Sequence, residues 1–98
     1  MIYVVATMVV APDKREQVLA AARIAIAATR AEDGCIGYDL HESVTTPGTC
    51  VFVERWRDRA ALNAHMGQEH FKAWRKASAD GVVSRKIEIT SDGKVETL

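Results

Sequence analysis

Cysteine, proline and aromatic residues are scarce in this chain, and it carries no net charge. Two cysteines cannot build the disulfide framework on which small secreted domains depend. Cys35 and Cys50 flank an expected hairpin. A turn centred on Thr46 to Gly48 sets them too far apart for a bridge, whose Cα atoms must lie within about 7 Å. Free thiols point to a reducing, cytoplasmic setting. Thirteen basic residues balance thirteen acidic ones, which excludes a global field for nucleic acid or an anionic membrane. The apolar run Ile2 to Ala11 has no basic leader and meets a charged segment at Asp13–Glu16. It is far short of the roughly 20 residues of a membrane span. Also missing are a glycine-rich phosphate loop, a G-x-S-x-G elbow, a dinucleotide fingerprint and any Cys-x-x-Cys pair.

What is present suits one domain over residues 1–98. Apolar residues make up 48% of the chain, enough for a packed core. A chain of this size buries only about 60–65% of its unfolded surface, so a lone subunit is modestly stable. IYVVATMVVA is rich in β-branched residues without polar alternation, the pattern of a strand covered on both faces. Its own helices supply one cover, and a second subunit is the candidate for the other.

Asp13 and Glu16 form a capping-box signature behind Pro12. They open a long helix that places Val18, Ala22, Ala25 and Thr29 on one stripe and ends at Gly34. Two alternating segments, CIGYDLHESV and TCVFVERW, are separated by the turn signal TTPG. Asp58 caps a second helix, RAALNAHM, which Gly67 interrupts before EHFKAWRKASAD. The tail VVSRKIEITSDGKVETL alternates again, with a turn expected at Asp92-Gly93. The order βαββαβ predicts an α+β, ferredoxin-like antiparallel sheet with helices on one face.

Chemistry concentrates between Gly34 and Trp74. With TTPG as a four-residue turn, residues of opposite parity pair across the hairpin. Tyr38 then shares an apolar face with Val51, Val53 and Arg55, while Phe52, Glu54 and Trp56 join Gly37, Asp39 and His41 on the other. That second face reads either as a dimer interface or as a polar site. Glu54 is a candidate base, because burial raises a carboxyl pKa; the alternative pairs it with Arg55, Arg57 or His41. His65 lies three residues after Leu62, close to the buried stripe of its helix. With His70, Phe71 and Trp74 it suits a pocket for a flat apolar molecule with polar ends. The five-residue spacing of His65 and His70 across Gly67 does not place both on one helical face, which disfavours a metal site.

Gly34-Cys35, Tyr38, Pro47, Phe52, Glu54, Trp56, Asp58, Ala61-Leu62, His65 and His70-Phe71 together resemble the antibiotic biosynthesis monooxygenase domain. The resemblance implies a homodimeric α+β barrel, two ferredoxin-like sheets packed face to face. It further implies oxidation of a quinol or polycyclic phenol by O2 with no metal or flavin cofactor. Carried over by position, His65 and Glu54 are the catalytic candidates, and Tyr38, Trp56, His70, Phe71 and Trp74 bind substrate. Two other activities occur on the same scaffold. Haem degradation is disfavoured, because the first strand offers Ala6 or Thr7 where an asparagine is expected. Isomerisation of a small phosphorylated dicarbonyl compound would need a cationic site, for which Arg55 or Arg75 could serve. A non-catalytic ligand-binding dimer is the third reading.

Overall fold

A computed structural model describes residues 1–91, 96 and 97. Strand β1 (Ile2–Val10) leads through a 3-10 turn (Pro12–Lys14) into helix α1 (Arg15–Arg30). Strands β2 (Cys35–Glu42) and β3 (Thr49–Trp56) follow, then helices α2 (Arg59–Met66) and α3 (Glu69–Ala77), and finally β4 (Val82–Thr90). The sheet order is β2-β3-β1-β4, with every neighbouring pair antiparallel. This is the ferredoxin-like α+β arrangement expected from the sequence. The Asp92-Gly93 turn lies outside the described residues.

Helix α1 buries Val18, Ala22, Ala25 and Thr29, the stripe that a 3.6-residue period predicts. Its start differs from expectation. Pro12 opens a 3-10 turn in which Lys14 N–H donates to the Ala11 carbonyl at 2.9 Å. The helix then begins at Arg15 without a side-chain cap, so the Asp13–Glu16 capping box does not form. The end differs too. Ala31 is the C-cap, and Gly34 lies beyond it with φ +88°, turning the chain into β2. By contrast Asp58 caps α2 as expected, its carboxylate accepting from Ala61 N–H at 2.8 Å.

The hairpin register corrects the face assignment made from the turn. Tyr38 lies opposite Glu54, Leu40 opposite Phe52 and Glu42 opposite Cys50. Seven residues separate Glu42 from Cys50, the pair nearest the turn, so partners share parity and directly paired residues share a face. Tyr38 and Leu40 therefore join Phe52, Glu54 and Trp56 beneath the helices, and Arg55 points to the opposite face.

Strand β1 is buried on one face only within a single chain. Ile2, Val4, Met8 and Val10 pack beneath the helices, whereas Val5 and Val9 on the other face are 39% and 38% exposed. Val53, paired with Val5 on β3, is likewise 39% exposed. The absence of polar alternation thus reports an apolar stripe on the open face. Glu54 and Trp56 are not part of that face: they are 6% and 0% exposed in the core.

Candidate active site

Among the described residues, two small cavities lie between the sheet and helices α2 and α3. One, of about 40 Å³, is walled by Tyr38, Phe52, Phe71 and Trp74. The other, of about 80 Å³, reaches His65, Leu62 and Ile89. Glu54, Phe71, Arg75 and Ile87 border both, which makes them neighbouring compartments of one site. The aromatic walls also touch one another. The Tyr38 and Phe52 rings lie 5.1 Å apart, and Phe52 meets Trp74 edge-on at 5.6 Å. Such packing fixes the wall geometry and favours a flat apolar guest.

Glu54 is the carboxyl group of this site. The strand register sends it under the helices with Tyr38 directly opposite. Burial pushes its pKa up to about 7, against the opposing effect of a hydrogen bond from Trp56 Nε1 at 2.9 Å. Its partner is thus an indole two residues along the same strand. Among the described residues Glu54 forms no ion pair with Arg55, Arg57 or His41. A carboxyl poised near neutrality can accept and return a proton at physiological pH. Burial raises the Tyr38 phenol as well, which moves it further from neutrality and keeps it protonated.

Behind the cavity a second polar group assembles around Glu32, which precedes Gly34 in the α1–β2 loop. Glu32 Oε2 lies 2.7 Å from His65 Nδ1 and 2.7 Å from His70 Nε2. The Glu32 and His65 side chains are only 8% and 3% exposed. Two features of the backbone bring the three residues together. Gly34 presses the loop onto α2, where a Cβ on it would lie 2.6 Å from Ala61 Cβ. The break between α2 and α3 at Gly67 and Gln68 then reorients the helix axis, so His70 reaches the same oxygen as His65. Their spacing of five would have separated them on a continuous helix.

An ionised carboxylate only accepts, so the shared oxygen assigns the ring proton of His65 to Nδ1. Burial lowers the His65 pKa, opposed by the Glu32 hydrogen bond. A neutral ring with Nδ1–H committed to Glu32 leaves Nε2 as its remaining acceptor, on a residue that borders the cavity. The donor atoms of Glu32, His65 and His70 lie within 4.8 Å of one another. Two histidines and a carboxylate are also a ligand set suited to zinc or iron.

The cavity therefore gathers Tyr38, Glu54, His65, Phe71 and Trp74 of the residues singled out from the sequence. It does not gather all of them. Trp56 is fully buried, donates to Glu54 from behind the cavity, and packs its ring on His65 at 4.7 Å. His70 borders a separate groove between α1 and α3. Glu32 was not anticipated. Its only signal is an acidic residue two before a turn glycine, and nothing in the periodicity marks it as buried.

The sequence of residues 1–77 matches the family described as antibiotic biosynthesis monooxygenase. The chain belongs to that family. It is 39% identical over 87 residues to "Putative monooxygenase Rv0793" of Mycobacterium tuberculosis, spanning 89% of this chain and 84% of that one. "Putative monooxygenase YcnE" of Bacillus subtilis is 39% identical over 74 residues, covering 76% of this chain and 78% of the relative. The solved structure of Rv0793 superposes with a TM-score of 0.89 at 32% identity, over 98% of each chain. Membership in the antibiotic biosynthesis monooxygenase family gives the chain a monooxygenase-like role in general terms.

Proposed function

We propose that this family member is a cofactor-independent monooxygenase that oxidises a quinol or polycyclic phenol with O2. The observation that carries the reading is Glu54, a buried carboxyl with pKa about 7 in a cavity walled by aromatic rings. Glu54 takes the phenolic proton, and the electron-rich phenolate reduces O2 directly. Electron transfer and recombination form a carbon–oxygen bond, giving a hydroperoxide at a ring CH. That hydroperoxide loses water as its C–H proton leaves and the O–O bond breaks, producing a carbonyl. One oxygen atom enters the product and the other becomes water, with all four electrons supplied by the substrate. His65 Nε2, an acceptor, takes a hydrogen bond from the second hydroxyl. Two acceptors across one flat cavity match the two donors of a quinol.

The working unit is a homodimer. The apolar stripe of Val5, Val9 and Val53 on the open sheet face supports its coverage by a second copy, which would complete an α+β barrel. Both cysteines are free, in keeping with a cytoplasmic setting. No helix among the described residues is long and apolar enough to cross a membrane.

Oxygen uptake with a panel of quinols and anthrones tests the activity. One O2 should be consumed per substrate, and Glu54→Gln should slow turnover by about 10²-fold or more. Thermal stabilisation by these compounds without oxygen uptake would instead establish a ligand-binding module. Isomerisation of a phosphorylated dicarbonyl compound is the second reading, favoured by Arg75 at the cavity. Arg55, on the other face of the sheet, cannot serve it.

A further inference from the structure

We infer that the cavity contains an anion subsite formed by Arg75 and Arg85, and that the substrate is a flat aromatic compound bearing a carboxylate or phosphate group. The inference rests on the proposed site for where the aromatic ring sits, and adds what must lie beside it. Arg75 on α3 and Arg85 on β4 border the same cavity as Glu54. The pairing of Arg85 with Met8 on β1 aims it beneath the helices, where it meets the end of α3.

Neither guanidinium forms an ion pair with a carboxylate among the described residues. Arg85 makes one long hydrogen bond, from Nη2 to Ser78 Oγ at 3.4 Å. Arg75 lies over the Phe71 ring, its guanidinium carbon 5.8 Å from the centroid. That stacking orients the cation without neutralising it. Partial burial and the repulsion of Arg75 both depress the Arg85 pKa, a cost that a neutral guest would leave in place. Glu54 offsets at most one of the two positive charges, and near neutrality only in part.

The chemistry of two guanidiniums at one wall is that of a clamp for oxyanions: planar, multiply donating and permanently charged. Carboxylate and phosphate share the needed geometry. A guest whose ring occupies the aromatic compartment would thus be held at three places. Its hydroxyls meet Glu54 and His65, and its anionic group meets the arginines. This arrangement orients the ring within its plane, which two hydroxyl contacts on a symmetric quinol do not do.

Anaerobic calorimetry separates binding from turnover. The probes are 1,4-dihydroxynaphthalene, 1,4-dihydroxy-2-naphthoate and 4-hydroxy-1-naphthyl phosphate, titrated into the full chain and into Arg75→Gln, Arg85→Gln and the double variant. At least one anionic probe should bind about tenfold or more tightly than the neutral quinol, and the tighter anion identifies the group. The advantage should shrink at about 0.5 M NaCl. It should fall in each single variant and vanish in the double one, with the neutral quinol measured in every variant as the baseline for the ratio. Arg75 is exposed, so its variant reports even if Arg85→Gln proves unstable. Equal affinity for all three probes, or an anion preference that survives loss of both arginines, would overturn the inference. Either result stands whether or not any probe consumes oxygen, so failure of the subsite is distinct from failure of the oxidase reading.

Discussion

Glu32 Oε2 lies 2.7 Å from His65 Nδ1, joining a loop residue to a helix residue 33 positions later, with both side chains largely buried. His70 shares that oxygen, so one carboxylate orients two imidazoles. Glu32→Ala leaves the buried Nδ1–H of His65 unsatisfied and should cost about 1–3 kcal/mol in urea unfolding. Glu32→Gln retains an acceptor but removes the charge that raises the His65 pKa. NMR titration should therefore show His65 moving further below its ordinary value. An unchanged titration would mean that Glu32 does not hold this ring.

The same shift sets a stability trend. His65 has a lower pKa folded than unfolded, so its contribution is fully present above the ordinary value of 6.5. As pH falls through that value the unfolded chain takes up the proton first, and stability declines until the folded ring protonates as well. His65→Phe should remove this acid-side decline in melting temperature while keeping the ring contacts with Tyr38 and Phe71.

Glu54 acts in the opposite sense. Its pKa rises from 4.5 unfolded to about 7 folded. The contribution is fully present below 4.5, fades as pH rises through 7, and is constant above it. The difference is on the order of 3 kcal/mol. Glu54→Gln, which keeps an oxygen for Trp56 Nε1, should gain on wild type as pH is raised from about 5 to 8. A constant offset between the two melting curves would contradict the raised pKa.

How much of this was legible in the sequence follows from the range of each signal. Some local signals held, namely the α1 stripe from Val18 to Thr29, the Asp58 cap and the βαββαβ order, whereas the Asp13–Glu16 capping box and the Gly34 helix end did not. The hairpin faces failed because one residue of turn length reverses parity, and TTPG marks a turn without counting its loop. That error separated Tyr38 from Glu54, although the two lie opposite each other beneath the helices. Glu32 was invisible for another reason. Its burial depends on how closely Gly34 approaches Ala61, a tertiary contact with no periodicity.

The open face gives a direct test of assembly. Val53→Lys places a charge in the middle of the apolar stripe, on a side chain already 39% exposed in the single chain. Folding of the subunit should be little affected, within about 0.5 kcal/mol per chain for an exposed position. Light scattering should show a dimer for wild type and a monomer for the variant. A variant that remains dimeric would place the interface elsewhere.

Gly34→Ala meets two obstacles at once. The backbone has φ +88°, which costs an L side chain about 1 kcal/mol or more, and the new Cβ would sit 2.6 Å from Ala61 Cβ. Ala61→Gly removes the contact but not the conformational cost, so it should rescue part of the loss in a double-mutant cycle. Displacement of the loop also moves Glu32, so the His65 titration should change in Gly34→Ala and recover in the pair.

Thr29 offers the reverse case, a wild-type residue that costs stability. It is 1% exposed on the buried face of α1, and its Oγ1 has no hydrogen-bond partner among the described residues. Ordinarily a helical threonine bonds a carbonyl one turn back; here the hydroxyl is desolvated with no return. Valine replaces the oxygen with a methyl group of similar size and retains the β-branch, so the packing of the stripe is preserved. Thr29→Val should therefore stabilise the chain by about 1–2 kcal/mol, read as a higher urea midpoint with an unchanged slope. Thr29→Ser keeps the unpaired hydroxyl and adds a void, so it should lose stability. A destabilised Thr29→Val would show that the hydroxyl has a partner in solution, such as a buried water.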